Sequence, residues 1–148
     1  MIRTLCAAAL LASAVPVLAD NHTIAPGLGA AERLEEALIL AEPCDSMMLE
    51  AGRYALSECL SLDVEGVTIK GAGMEGDTQS ILDFTNQQGA GEGLLVTSDN
   101  VTLRDFAIEN AKGDGIKSKG ADNIIYHGLR IEWTAGPKPT NGAYGIYP

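Results

Sequence analysis

"SDNVTLRDFAIEN" (98–110) and "ADNIIYHGLRIEW" (121–133) are two copies of one phrase, 23 positions apart. Asp99-Asn100 aligns with Asp122-Asn123, Val101 with Ile124, Leu103 with Tyr126, Phe106 with Leu129, Ile108 with Ile131 and Glu109 with Glu132. An earlier copy, "LSLDVEGVTI" (60–69), precedes "LLVTSDNVTL" (94–103) by 34 residues. A later one opens at "YGIYP" (144–148), after the insertion "AGPKPTN" (135–141). Self-similarity at a fixed period is the mark of a repeat architecture.

The segments around these phrases are apolar runs of three to five residues bounded by Gly, Asn or Asp: 60–62, 67–69, 80–84, 94–96, 101–103, 106–108, 115–118, 123–126, 129–131 and 144–147. Runs this short cannot bury a face alone. Helical repeats need ten or more helix-forming residues each, and tight hairpins need two-residue turns between neighbouring strands. The link between like strands is instead a full lap, roughly 70–75 Å of extended chain at ~3.3 Å per residue. Like strands therefore stack in parallel, with Phe106 beside Leu129 and Ile108 beside Ile131. The expected fold class is all-β, a right-handed parallel β-helix (solenoid), its hand following the crossover rule. Asn100 and Asn123 fall at one corner, where Asn tolerates the left-handed turn, and are expected to form an amide ladder.

"GAAERLEEALILAEP" (29–43) reads as a helix, with Leu34, Ala37, Leu38 and Ala41 at helical spacing and Pro43 ending it. It is expected to cap the first lap, covering open strand edges. The chain stops at Tyr147-Pro148 inside an apparent strand. The expectation is a chain truncated at this end, or one that self-associates or docks a partner there.

"MIRTLCAAALLASAVPVLAD" (1–20) has a basic start, an apolar run from Leu5 to Val17 broken only by Ser13, and small residues before Asp20. It is expected to be a signal peptide (1–19) cleaved after Ala19, with an uncleaved anchor as the alternative. Residues 20–28 then form a leader and 29–148 the folded domain. The localisation expected is periplasmic or secreted, with no membrane attachment after cleavage. The formal net charge of −10 becomes −11 once Arg3 is removed, which argues against nucleic acid as a partner. Cys44 and Cys59 remain, and in an oxidising compartment they are expected to form a disulfide rather than two free thiols. Such a bridge stabilises by about 3 kcal/mol in the chain-entropy model.

"LEAGRYALSECLSLDVEGVTIKGAGMEGDTQSILDF" (49–84) resembles the opening laps of the pectate-lyase-like superfamily of right-handed β-helix proteins. Leu49, Gly52, Tyr54, Leu60, Leu62, Gly66, Val67, Ile69, Gly71, Gly73, Thr78, Ile81, Leu82 and Asp83 carry the pattern. "GDGIKSKGADNIIYHGLRIEW" (113–133) is similar to NosD-like and mannuronan-epimerase-like segments. The resemblance implies an extracytoplasmic protein that binds or modifies a polysaccharide, by uronate elimination or C5 epimerisation if it is catalytic. It also implies that active grooves lie on the outer face of one parallel sheet. Non-catalytic relatives make a scaffold the alternative. The Asp-Pro-His epimerase motif and a pectate-lyase-type aspartate cluster are both missing, so this chain alone is expected to be inactive.

Uronate chemistry needs a cation for the carboxylate, a base for the C5 proton and an acid opposite. Lys117 and Lys119 alternate onto one face and are the candidate cations, with a solvated surface as the plainer reading. His127 is the candidate acid or base, with an exposed corner as the alternative. Trp133, Tyr144 and Tyr147 are candidate sugar platforms, against packing roles for Trp133 under the insertion and for one tyrosine in the core. No cofactor is expected. Ca²⁺ at Asp99, Asp114 and Asp122 is weighed without any Ca²⁺ loop motif to support it. NosD-like copper delivery finds only His22 and His127 and no Met-rich run beyond Met47-Met48.

Overall fold

The structure, a computed structural model, describes residues 19–89 and 91–148; the expected signal peptide lies outside them except for Ala19. In chain order the elements are β1 (Asn21–Ile24), α1 (Ala30–Ile39), β2 (Ser46–Leu49), β3 (Gly52–Ala55), β4 (Leu60–Leu62), β5 (Thr68–Lys70), β6 (Ser80–Asp83), β7 (Leu94–Val96), β8 (Thr102–Glu109), β9 (Ile116–Ser118), β10 (Ile125–Glu132) and β11 (Ile146–Tyr147). The strands form a seven-stranded sheet, in which β1-β2-β5-β8-β6-β3 is joined by β10 on β8, and a four-stranded sheet ordered β11-β9-β7-β4.

Each strand pair is parallel. The two phrase copies pair at the offset of 23: Leu129 lies opposite Phe106, Ile131 opposite Ile108 and Glu132 opposite Glu109. The offset of 34 also recurs, with Leu60 opposite Leu94 and Leu62 opposite Val96. Parallel pairing at these offsets puts apolar residues opposite apolar residues, which is why the letters repeat.

The expected class, an all-β right-handed parallel β-helix with a capping helix, is corrected. Among the described residues the chain is mixed α/β, two parallel sheets and one α-helix around a shared core. Two features make the difference. First, α1 is a core element: Ala30, Leu34 and Leu38, four residues apart, are each at most 2 % exposed and join the same apolar cluster as both sheets. Second, the larger sheet branches. β8 pairs with β5 along Thr102–Arg104 and with β6 along Ala107–Glu109. The two halves meet at Asp105, whose φ of 60° bends the strand, and Gly128 repeats the bend in β10 with φ 59°. The separate runs 101–103 and 106–108 are thus one strand, as are 123–126 and 129–131. The leader expected over 20–28 is also corrected, because it contains β1, which pairs with β2 from Asn21 opposite Ser46 to Ile24 opposite Leu49.

β1 is fixed by a buried carboxylate. Asp45, 2 % exposed, accepts backbone N–H groups from Glu42 at 2.9 Å and Asp20 at 2.8 Å and faces His22 Nε2 at 3.1 Å. Those two backbone donors, then His22, outweigh burial and hold its carboxyl below the ordinary range. Tyr54, wholly buried, donates its hydroxyl to Ile24 O and Glu50 O at 2.7 and 2.9 Å, and burial pushes its pKa to about 12. Gly71 is required by close approach: a Cβ there would lie 2.3 Å from Asp105 O.

One corner explains the cysteines. Cys44, Gly66, Asn100 and Asn123 all have positive φ, between 58° and 75°. The backbone N–H of Cys44 donates to Glu65 O, that of Gly66 to Asp99 O and that of Asn100 to Asp122 O, so the four residues stack in one column. Asn123 Nδ2 donates to Asn100 Oδ1 at 3.3 Å and Asn100 Nδ2 to Glu65 Oε1 at 2.7 Å, an amide ladder up that column. Cys44 is exposed at the foot of it, before β2 of the larger sheet, whereas Cys59 precedes β4 of the smaller one. The expected disulfide is therefore corrected: both thiols are free. Burial, then the Glu92 charge, raises the Cys59 pKa, which keeps that thiol protonated.

Candidate functional site

The outer face of the larger sheet carries a row of carboxylates. Asp83 lies opposite Glu109 and Glu109 opposite Glu132, on β6, β8 and β10. Like charges in register repel. Two arginines from the neighbouring row offset this: Arg53, opposite Ile81, and Arg130, opposite Ala107. Arg53 Nη1 meets Asp83 at 2.9 Å and Glu109 at 2.7 Å. Arg130 Nη2 meets Glu109 at 3.0 Å, and its Nη1 meets Glu132. Arg130 also donates to Met74 O at 2.9 Å and Gln79 Oε1 at 3.0 Å. Glu109, 4 % exposed, is thereby held between two guanidinium groups. Burial would raise the Asp83 carboxyl, but hydrogen bonds from Thr85, Arg53 and Asn110 win and hold it below its ordinary value.

This strip runs into a cleft. Asn110 Nδ2 donates to Thr85 Oγ1 at 2.9 Å, and Asn110 Oδ1 accepts the backbone N–H and hydroxyl of Thr134, each at 2.9 Å. Beyond Asn110 the chain opens an outward-facing hollow of about 650 Å³ lined by Asn110, Lys112, Trp133, Thr134, Lys138 and Asn141. The insertion supplies one wall, tied by backbone N–H bonds from Gly136 to Trp133 O and from Asn141 to Lys138 O. Trp133 is half-buried; its indole N–H donates to Ala111 O at 2.6 Å, which anchors the ring along the cleft. The sugar-platform and loop-packing readings of Trp133 meet here, since Trp133 and the insertion line the same open space.

The smaller sheet gathers part of the other expected set. Lys117 Nζ pairs with Glu92 Oε1 at 2.9 Å and sits 5.5 Å from the centre of the Tyr147 ring. Tyr147 stacks on Tyr144 with ring centres 5.2 Å apart. Glu92 raises the Lys117 pKa and is itself held low by Lys117. Ser118 is buried between Lys117 and Lys119, and Lys119 is exposed just past β9. Both tyrosines are exposed, at 54 % and 44 %, so neither is a core residue.

His127 does not join them. It lies on β10, in the other sheet, 68 % exposed at the side chain and 3.5 Å from Asp105 Oδ1. The cation and base expected as one catalytic set are thus on different sheets, which corrects that grouping. The weighed Ca²⁺ carboxylates serve turns: Asp99 Oδ1 accepts the N–H of Asp122 at 2.8 Å and Asp114 Oδ1 that of Tyr144 at 3.0 Å. Among the described residues no group of three or more His, Cys, Asp or Glu is placed to hold a metal ion, and no helix is long and apolar enough to cross a membrane.

Arg53, Asp83, Glu109 and Arg130 escape a reading by residue type, since the bonds among these four link positions 21 to 56 apart. The one sequence signal was the match of Glu109 to Glu132: if the phrases stack, their carboxylates share a face and need cations between them. Comparison of the chain with protein-family models, curated proteins and solved structures finds no match.

Proposed function

We propose that this is an exported protein that binds an extracellular polysaccharide, with uronate-containing chains as the preferred class, along the Trp133 cleft. One observation carries the reading: the single tryptophan lines an open hollow that it shares with two alanines, amides, hydroxyls and two lysines. An aromatic face suits a sugar ring, and amide and hydroxyl groups suit its hydroxyls. In a chain of net charge −10, Lys112 and Lys138 beside that ring favour an anionic sugar. Among the described residues neither makes an ion pair. The resemblance of 49–84 to polysaccharide-active proteins points the same way. Binding without turnover fits best, because the carboxylates nearest the cleft, Asp83 and Glu132, are already bonded to arginines.

Because Trp133 is the only tryptophan, its fluorescence reports the cleft alone. Titration with uronate oligosaccharides should give a saturable change that weakens with salt, and Trp133→Ala should lower affinity at least about tenfold by calorimetry. Equal, negligible heats for uronate and neutral oligosaccharides would overturn the reading. A rise in absorbance from unsaturated uronate would show turnover instead.

A second reading, a non-catalytic scaffold that docks a partner, draws on β10. That strand pairs with β8 alone among the described residues, and Ile125 on it is 56 % exposed. It predicts self-association that rises with concentration; a single monomeric species on sedimentation would oppose it.

A further inference from the structure

The nitrogen that Asp45 Oδ1 accepts at 2.8 Å belongs to Asp20, the residue directly after the expected cleavage position. Asp20 is also pinned from the other side, its carbonyl accepting the Ser46 N–H at 2.8 Å. In the uncut chain that nitrogen is a neutral amide. Hydrolysis of the Ala19–Asp20 bond adds water across it, leaving a carboxylate on Ala19 and an α-ammonium on Asp20. We propose that Asp45 is a preformed receptor for this new α-ammonium, so that removal of the expected signal peptide locks β1 onto β2 through an ion pair. The timing rests on the export reading; the receptor itself rests on geometry.

The chemistry favours the cut form. A buried carboxylate is stabilised by a full countercharge more than by a dipole, and a charge-assisted hydrogen bond is about twice as strong as a neutral one. Asp20 is exposed, so the remaining ammonium protons stay in water. The other groups facing Asp45 are His22 on β1, 39 % exposed at the side chain, and the backbone N–H of Glu42 after α1. Neither changes on cleavage, so the difference between cut and uncut chains isolates the ammonium.

The test compares three chains: one starting at Asp20 with a free amine, the same chain N-acetylated, and one extended through Leu18-Ala19. Urea unfolding at pH 7 should show the free-amine chain with a folding constant about tenfold above both others. Pairing raises the folded value of the α-amino group above its ordinary value near 8, so the advantage is full below about 8 and fades as pH rises through the folded value. In an Asp45→Asn background the three chains should unfold alike; if that variant does not fold, the pH comparison carries the test. Equal stabilities at pH 7, or a difference that persists unchanged at about pH 11, overturn the receptor. Intact mass of secreted material should begin at Asp20; any other start overturns the maturation role while leaving the receptor to the unfolding data.

Discussion

β8 and β10 are written in nearly the same letters and live in different surroundings. In β8, Leu103, Phe106, Ala107, Ile108 and Glu109 are all buried, because β5 and β6 flank one side and β10 the other. In β10 the matching Tyr126, Leu129, Arg130, Ile131 and Glu132 are half-buried or exposed, because β8 is its one partner among the described residues. The repeat therefore encodes register, and the neighbours decide what each letter is worth.

That contrast sets an order of expected effects. Phe106→Ala should cost about 4 kcal/mol, from lost burial plus a cavity, whereas Leu129→Ala should cost about 1 kcal/mol. Urea denaturation of both variants checks this, and equal losses would break the comparison. Next, Glu109→Gln should cost about 2 kcal/mol, since it leaves Arg53 and Arg130 without their shared carboxylate in a partly screened site. Glu132→Gln, 46 % exposed at the side chain, should stay within about 0.5 kcal/mol. At the corner, Asn100→Ala should cost about 1 kcal/mol for its left-handed backbone, and Asn100→Gly less. The smallest effect is on pH dependence. The folded Asp83 carboxyl lies below its unfolded value, so its stabilisation is full above the unfolded value near 3.9 and is lost as pH falls through the folded one. Asp83→Asn should flatten the acid limb of a stability–pH curve, and an unchanged limb would show that its bonds to Thr85 and Arg53 contribute nothing.

The register of the paired phrases was legible because burial imposes the same apolar letters on paired parallel strands, and strand positions followed from Gly, Asn and Asp at the turns. The class was not. The spacing of Leu34 and Leu38 shows that one face of α1 is buried, but amphipathic spacing is the same whether a helix lies over an end or joins the core. β1 was missed because "NHTI" is four residues with no turn signal on its N-terminal side, and its pairing with β2 depends on Asp45, 25 positions from Asp20. The cysteines misled because loop length constrains entropy and not position: Cys44 occupies a left-handed corner that Gly or Asn fills in later laps. The charged strip was illegible residue by residue, since each Arg, Asp or Glu alone resembles a solvated surface group. Trp133 was visible as an aromatic beside an insertion, yet only folding shows that the loop leaves the ring facing open space.

The parallel register of β8 and β10 is tested most directly by NMR on selectively labelled protein. Cross-relaxation should appear between the Phe106 ring and the Leu129 methyls, and between the Ile108 and Ile131 methyls, because in-register parallel neighbours lie about 4.8 Å apart. With all four residues assigned, the absence of both contacts, or contacts pairing Phe106 with Ile131 and Ile108 with Leu129, would contradict the account.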